Sequence, residues 1–297
     1  MTTTNGLLLI DKPTGLTSHD VVARLRKLFN ERRIGHAGTL DPLATGLLVV
    51  AVGPSTRLLR FAQSQTKRYV GTVRLGEATD TLDSDGVLTH SAPVPALTPE
   101  GVSEWCATMV GPQRQVPPMV SALKVGGRRL HELARQGIEV ERTPRDIVID
   151  SFTLTPQDDR RDWDFDVTCS VGTYVRVLLA DLAVKMGTVG HLTALRRISS
   201  GSHQVRDAHT LQALGEMDDV CAALAPPSRL VDDLETVVLG ATEVAKMRMG
   251  QRLASTAMFE GDEIAALDEN GHLVGVLRRR ADSWKPEIVM SSPGADQ

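Results

Sequence analysis

The amino-acid sequence predicts an α+β protein with a small β-rich part at its C-terminal end. Three observations predict it. Amphipathic helical stretches and alternating or apolar strand-like stretches follow one another without a regular βαβ alternation. The chain of 297 residues is 41% hydrophobic, enough for one large domain and a small one. Its last sixty or so residues read as short strands grouped around one hairpin signal.

The elements follow in order. "GLLLIDKP" reads as a short buried strand stopped by Pro13. "TSHDVVARLRKLF" places Val21, Val22, Leu25, Leu28 and Phe29 on one helical face, with Thr17 or Ser18 as N-cap. A Gly-rich loop, "GHAGTLDPLATG", precedes the strand "GLLVVAVG" and a helix through "STRLLRFAQ". "KRYVGTVRLG" alternates like a half-buried strand, and "TDTLDSDG" is an acidic, turn-rich connection. "LTPEGVSEWCATMVG" opens with a Thr-Pro-Glu helix start. The stretch from "QRQVPPMV" is a loop leading into a helix that stops at Gly137. "RDIVIDSFTLT" and "WDFDVTCSVGTY" are two strands, and "VRVLLADLAVKMG" is a helix ending at Gly187. "LAPPSRLVDDL", around 224–234, has the Pro-Pro and charge change of a boundary. The helix "TEVAKMRMGQ" and a hairpin turning at Asn270-Gly271 follow it.

Charge is distributed unevenly. The net charge is −4, yet residues 1–75 carry 11 Lys/Arg against 4 Asp/Glu, and residues 211–297 carry 8 against 15. A basic N-terminal quarter fits a nucleic-acid partner, and by itself fits an unevenly charged solvated surface equally well. No apolar stretch approaches the roughly 20 residues of a membrane span. The N-terminus lacks the basic and long apolar regions of a secretory leader. Cys106, Cys169 and Cys221 are far apart with no metal-ligand spacing, and each is expected to be a buried small hydrophobe. These features predict a reduced, cytoplasmic protein without membrane or metal.

Asp41 is the first candidate for chemistry. Gly35, Gly38 and Gly46 surround it and Pro42 stiffens the next position, as a loop aiming one carboxylate into a cleft would require. An Asp capping a turn is the ordinary reading of an Asp-Pro pair, but a strand-like run rather than a helix follows. The chain has two tyrosines, Tyr69 and Tyr174, each close to an arginine (Arg68, Arg176), a combination that suits a stacked base and its phosphate. Core tyrosines would look the same. Arg176 lies where a strand gives way to a helix, and Asp41 could supply its acidic partner. His36 and His191 could be acid/base groups or metal ligands, but neither has a second ligand at suitable spacing. Phosphate loops and hydrolase or zinc motifs are absent from the sequence.

The segments "LLLIDKPTGLTSHDVV", "RIGHAGTLDPLATGLLVVAVG", "KRYVGTVRLGEATDTLDSDG", "QVPPMVSALKVGGRRLHELARQGIEVER" and "CSVGTYVRVLLADLAVKMGTVGHLTALRR" occur in the order of the bacterial TruB family. The chain resembles these tRNA pseudouridine-55 synthases from about residue 6 to about residue 200. Beyond that, "MRMGQRL" and "VGVL" resemble their PUA-like module more loosely.

The resemblance implies a mixed-sheet pseudouridine synthase domain over 1–230, holding an RNA-contacting insertion and mobile loop within 76–150, and a PUA-like domain over 235–292. It implies isomerisation of uridine 55 in the T loop of tRNA, without cofactor or metal, by a monomer acting on the T stem-loop. Asp41 matches the essential aspartate, Arg176 the arginine that pairs with it, and Tyr69 the residue that stacks on the flipped base and takes the C5 proton. Tyr174 and Leu195 match contacts to the target nucleotide, and His36 matches the residue that fills the space left by the flipped base. Lys12 and Pro13 match a motif that buttresses the active-site loop. Two other readings use the same residues: an RNA-binding or RNA-folding module, and a glycosidase, which usually needs a second acid.

Overall fold

The computed structural model describes residues 4–121, 123–130, 133, 136–254 and 259–291. The chain divides into two compact units, one of Met1–Pro42, Gly46–Ser64 and Ser200–Gln297, the other of Leu43–Thr45 and Gln65–Ser199.

The first unit is built on β3 (Thr45–Val52), flanked by β1 (Gly6–Lys12) and β2 (Ile34–Ala37), both antiparallel to it. The run "GLLVVAV" is apolar at every position because both faces of β3 are covered. Leu47, Val49 and Ala51 enter one core, while Leu48, Val50 and Val52 enter another. Val21, Val22 and Leu25 of the helix Ser18–Leu28 cover the second face. Burying each such aliphatic side chain contributes roughly 1.5–3 kcal/mol. Thr17 is the N-cap, and its hydroxyl and Asp20 form a reciprocal capping box.

In the second unit the sheet order is β12–β4–β11–β10–β7. The strands are β4 (Lys67–Leu75), β7 (Gly111–Gln115), β10 (Arg145–Pro156), β11 (Asp162–Cys169) and β12 (Gly190–Ser200). Two small hairpins, β5–β6 (Glu77–Thr79, Leu88–Ser91) and β8–β9 (Lys124–Val125, Arg128–Arg129), stand apart from it. The helix Pro99–Ala107 starts at the Thr98 cap, and the helix Val175–Lys185 is followed by Gly187 at φ 81°. Gly71 of β4 has a physical requirement for its identity. A Cβ there would sit 1.9 Å from the Ala194 carbonyl oxygen of β12. The helix expected to stop at Gly137 runs through residues 131, 132, 134 and 135, outside the described residues, while Gly137 has φ 69°.

Residues 200–291 belong to the first unit. After the short β13 (His203–Gln204), five strands form a sheet of order β14–β16–β17–β18–β15. They are β14 (Thr236–Leu239), β15 (Leu253–Ala254), β16 (Glu263–Asp268), β17 (Leu273–Arg280) and β18 (Ser283–Val289). The β14–β16 pair is parallel and the other pairs are antiparallel. The predicted hairpin joins β16 to β17, with Gly271 at φ 80°. The sheet has its own core of Leu239, Met247, Ile264, Val274, Leu277 and Trp284. Its other face packs Ala265, Val276 and Ile288 against Leu7, Leu47 and Val49.

Cys221 corrects one expectation. Cys106 and Cys169 are buried, but Cys221 is exposed in a short 3₁₀ turn of which no residue is buried. Among the described residues, no helix is long and apolar enough to cross a membrane.

Candidate active site

Four of the expected site residues lie in the first unit: Lys12, Pro13, His36 and Asp41. Lys12 ends β1 with its side chain completely buried. A buried ammonium needs oxygen partners. Lys12 Nζ donates to the carbonyls of Pro13 (2.9 Å), Leu16 (2.5 Å) and, at longer range, Pro42 (3.4 Å). The Gly15 N–H also donates to the Pro42 carbonyl, at 2.8 Å. On the other side of Asp41, the buried Ser18 hydroxyl accepts from the Leu40 N–H (2.9 Å) and donates to the Leu40 carbonyl (3.2 Å). Both neighbours of Asp41 are therefore tied to the chain between β1 and the first helix. Gly38 (φ 86°) and Gly46 (φ 94°) bracket this loop in a backbone conformation that other residues adopt only at a cost.

Asp41 itself is partly exposed, while the backbone on both sides of it is held. His36 lies on β2 opposite Val50, partly exposed, and meets the His19 ring edge-on at 5.7 Å between centroids.

Tyr69, Tyr174, Arg176 and Leu195 lie in the second unit. Tyr69 faces inward from β4 with Lys67, Val73 and Leu75, as the period of two requires. The same period overturns the expected partnership of Tyr69 with Arg68. Arg68 points to the opposite face, where it makes a two-pronged contact with Asp166 (2.9 and 2.5 Å) that raises its pKa. Tyr174 caps the helix Val175–Lys185, and its backbone is held in both directions by the Gln115 side chain (2.7 and 3.1 Å). Leu195 lies on β12, and its carbonyl accepts from the Thr45 hydroxyl at 3.3 Å.

Arg176 is in the first turn of that helix and is buried. Its guanidinium lies 3.2 Å from the Asp83 carboxylate, with side-chain exposures of 4% and 6% that leave little water to screen the pair. It also donates to the carbonyls of Thr81 (2.7 Å) and Val120 (3.0 Å). Asp83 is fixed in turn. The Thr81 hydroxyl donates to its carboxylate at 2.6 Å and the Thr79 hydroxyl to its carbonyl at 2.7 Å. Sequence reasoning passed over Asp83, because "TDTLDSDG" offers three acids in six residues and nothing local selects one. Ser18, named only as a possible N-cap, and Gln115 carry no local mark of the contacts they make here.

Lys67 is a further buried cation. Its ammonium donates to the Gln65 carbonyl at 2.7 Å. Burial, helped by the nearby Arg197 charge, lowers its pKa to about 8. Cys169, opposite it across β11, has its thiol pushed up to about 11 by burial. Among the described residues, no group of three or more His, Cys, Asp or Glu side chains is placed to hold a metal ion.

Residues 26–175 match the family model described as TruB family pseudouridylate synthase, N-terminal domain. The chain is 42% identical over 285 residues to tRNA pseudouridine synthase B of Leifsonia xyli subsp. xyli, covering 93% of both chains. It is 49% identical over 210 residues to the protein of that name from Syntrophotalea carbinolica, covering 71% of this chain and 68% of the relative. Among solved structures, a Cbf5-Nop10-Gar1 complex superposes with TM-score 0.72 at 25% identity, covering 92% of this chain and 78% of the other. An H/ACA RNP bound to a substrate RNA shares the fold with TM-score 0.75 at 21% identity, covering 98% and 87%. With a family model spanning half the chain and relatives above 40% identity along nearly all of it, the chain belongs to the TruB family of pseudouridylate synthases.

Proposed function

We propose that the chain isomerises uridine 55 in the T loop of tRNA to pseudouridine, with Asp41 as the catalytic carboxylate and no cofactor. The observation that carries this reading is the clasp around Asp41. Lys12, Gly15 and Ser18 fix the peptides on both sides of one partly exposed acid. Such a fixed acid suits a reaction in which the N1–C1′ bond breaks, the uracil turns and C5 joins C1′. The carboxylate must reach the sugar or base of a uridine drawn out of its stack, without reorganising at the moment of reaction.

The other residues take the roles that the family resemblance implies. Tyr69 stacks on the base and removes the C5 proton at the end. His36 fills the gap left in the RNA, and Tyr174 and the Leu195 backbone contact the nucleotide. Arg176 acts as the cation of the site, and residues 235–292 as a PUA-like module. The protein works as a cytoplasmic monomer on the T stem-loop.

Incubating an unmodified T-arm hairpin with the wild type and with Asp41→Asn, followed by nucleoside analysis, tests the proposal. The wild type should produce pseudouridine. Asp41→Asn should bind the hairpin within a few-fold of wild type and fall below about a hundredth of its rate, as losses of a nucleophile usually do. Free uracil in the reaction would point to a glycosidase. Bound but unchanged RNA with the wild type would point to an RNA-folding module.

A further inference from the structure

The end of the helix Ser18–Leu28 and the loop into β2 gather Arg24, Arg26, Lys27, Arg32 and Arg33 on one surface of the first unit, all of them exposed. Arg26, Lys27, Arg32 and Arg33 line a shallow basin with Asn30 and Glu31. Glu31 is the one acid within the stretch, and it is already engaged with Arg33 at 3.4 Å. Among the described residues no ion pair joins Arg24, Lys27 or Arg32 to a carboxylate, although the Arg24 charge is felt by Asp20 one helical turn earlier, and Arg26 donates to the Ile34 carbonyl at 3.1 Å. In the same unit, Arg60, Arg229 and Arg278 each have a carboxylate partner. Two cations in the last helical turn would be enough to offset the carbonyl end of the helix. Five cations against the single acid Glu31 leave a local surplus of positive charge that attracts an anion.

The position of the patch identifies the anion. Arg33 immediately precedes β2, and His36 lies three residues further along it, about 10 Å of extended chain. Phosphates crowd along a nucleic-acid duplex, so cations this close to His36 would meet several of them in a bound stem. We infer that the Arg24–Arg33 patch is a docking site for the phosphates of the RNA stem next to the loop that carries the target uridine. The inference rests on the proposed action on a tRNA T arm. The patch supplies affinity and placement and takes no part in the chemistry.

The experiment measures binding of a fluorescently labelled T-arm hairpin across a salt series, alongside single-turnover rates at saturating RNA. The variant Arg24→Gln/Lys27→Gln/Arg32→Gln should raise Kd roughly 10–100-fold at low salt. It should also reduce the slope of log affinity against log salt by about 2–3, one per lost phosphate contact. Its saturated rate should stay within about twofold of wild type. The charge-preserving Arg24→Lys/Arg32→Lys should keep the wild-type slope. Removing two exposed cations of the second unit, Arg160→Gln/Lys185→Gln, should leave slope and Kd unchanged. An unaltered slope in the triple variant, or an equal loss in the Arg160→Gln/Lys185→Gln variant, would overturn the inference. A wild type that binds the hairpin but forms no pseudouridine would defeat the proposed reaction while leaving the slope comparison to decide the patch.

Discussion

The Arg176 guanidinium and the Asp83 carboxylate meet at 3.2 Å with almost no exposure to water. The contact does two things at once. The N-terminal turn of a helix is tied to a loop more than ninety residues earlier, and a buried charge is neutralised locally. Removing either partner breaks a buried ion pair, which typically costs about 3–5 kcal/mol. Asp83→Asn and Arg176→Ala should each lower unfolding stability by an amount of that order, less any relief from water entering the site. Their double variant should lose markedly less than the sum. Denaturant titration of the four proteins measures this, and strict additivity would show that the two side chains are not coupled.

The Lys12 ammonium holds the Pro13 and Leu16 carbonyls and reaches Pro42. Lys12→Met keeps most of the side-chain volume and deletes the donor. Asp41 should then wander from its working position. The expected result is a fall of tenfold or more in the single-turnover rate, with hairpin affinity changed less than threefold. A change confined to affinity would assign Lys12 to RNA binding and take it out of loop support.

Tyr69→Phe keeps the ring and removes the hydroxyl. If the hydroxyl accepts the C5 proton, RNA should bind normally and the last step should slow, with an enzyme-bound or C5-protonated product accumulating in quenched reactions. Tyr69→Leu should also lose stacking, worth about 1–3 kcal/mol per base in comparable sites. Wild-type turnover by Tyr69→Phe would move the proton to another acceptor.

Lys67 gives a pH dependence whose sign follows from its lowered pKa of about 8, against an unfolded value near 10.5. Below about pH 8 both states hold the proton, and the folded protein bears the full cost of a buried charge. Between about pH 8 and 10.5 only the unfolded chain holds it, so the Lys67 contribution to stability rises with pH, by up to about 3 kcal/mol. Lys67→Met should abolish that rise and, if the shape fits, be the more stable protein at neutral pH. Urea unfolding of both proteins at several pH values gives the difference. Parallel curves would mean that Lys67 titrates normally.

The residues themselves determined the secondary structure wherever local chemistry was unambiguous. Thr17 and Thr98 announced helix starts, Gly187 a helix end, Asn270-Gly271 a hairpin, and "GLLVVAV" a strand covered on both faces. Asp41 was legible because glycines and a proline around a single acid are a local pattern. The strand β12 was not legible. "GHLTALRRISS" carries adjacent arginines, and Arg197 is completely buried, a placement that only tertiary partners make tolerable. The choice of Asp83 from an acidic turn, the grip of Lys12 and Ser18 on the loop of Asp41, and the turning of Arg68 away from Tyr69 were likewise decided by tertiary structure. Each depends on which groups lose their water together, and the chain settles that only when segments far apart in sequence come into contact.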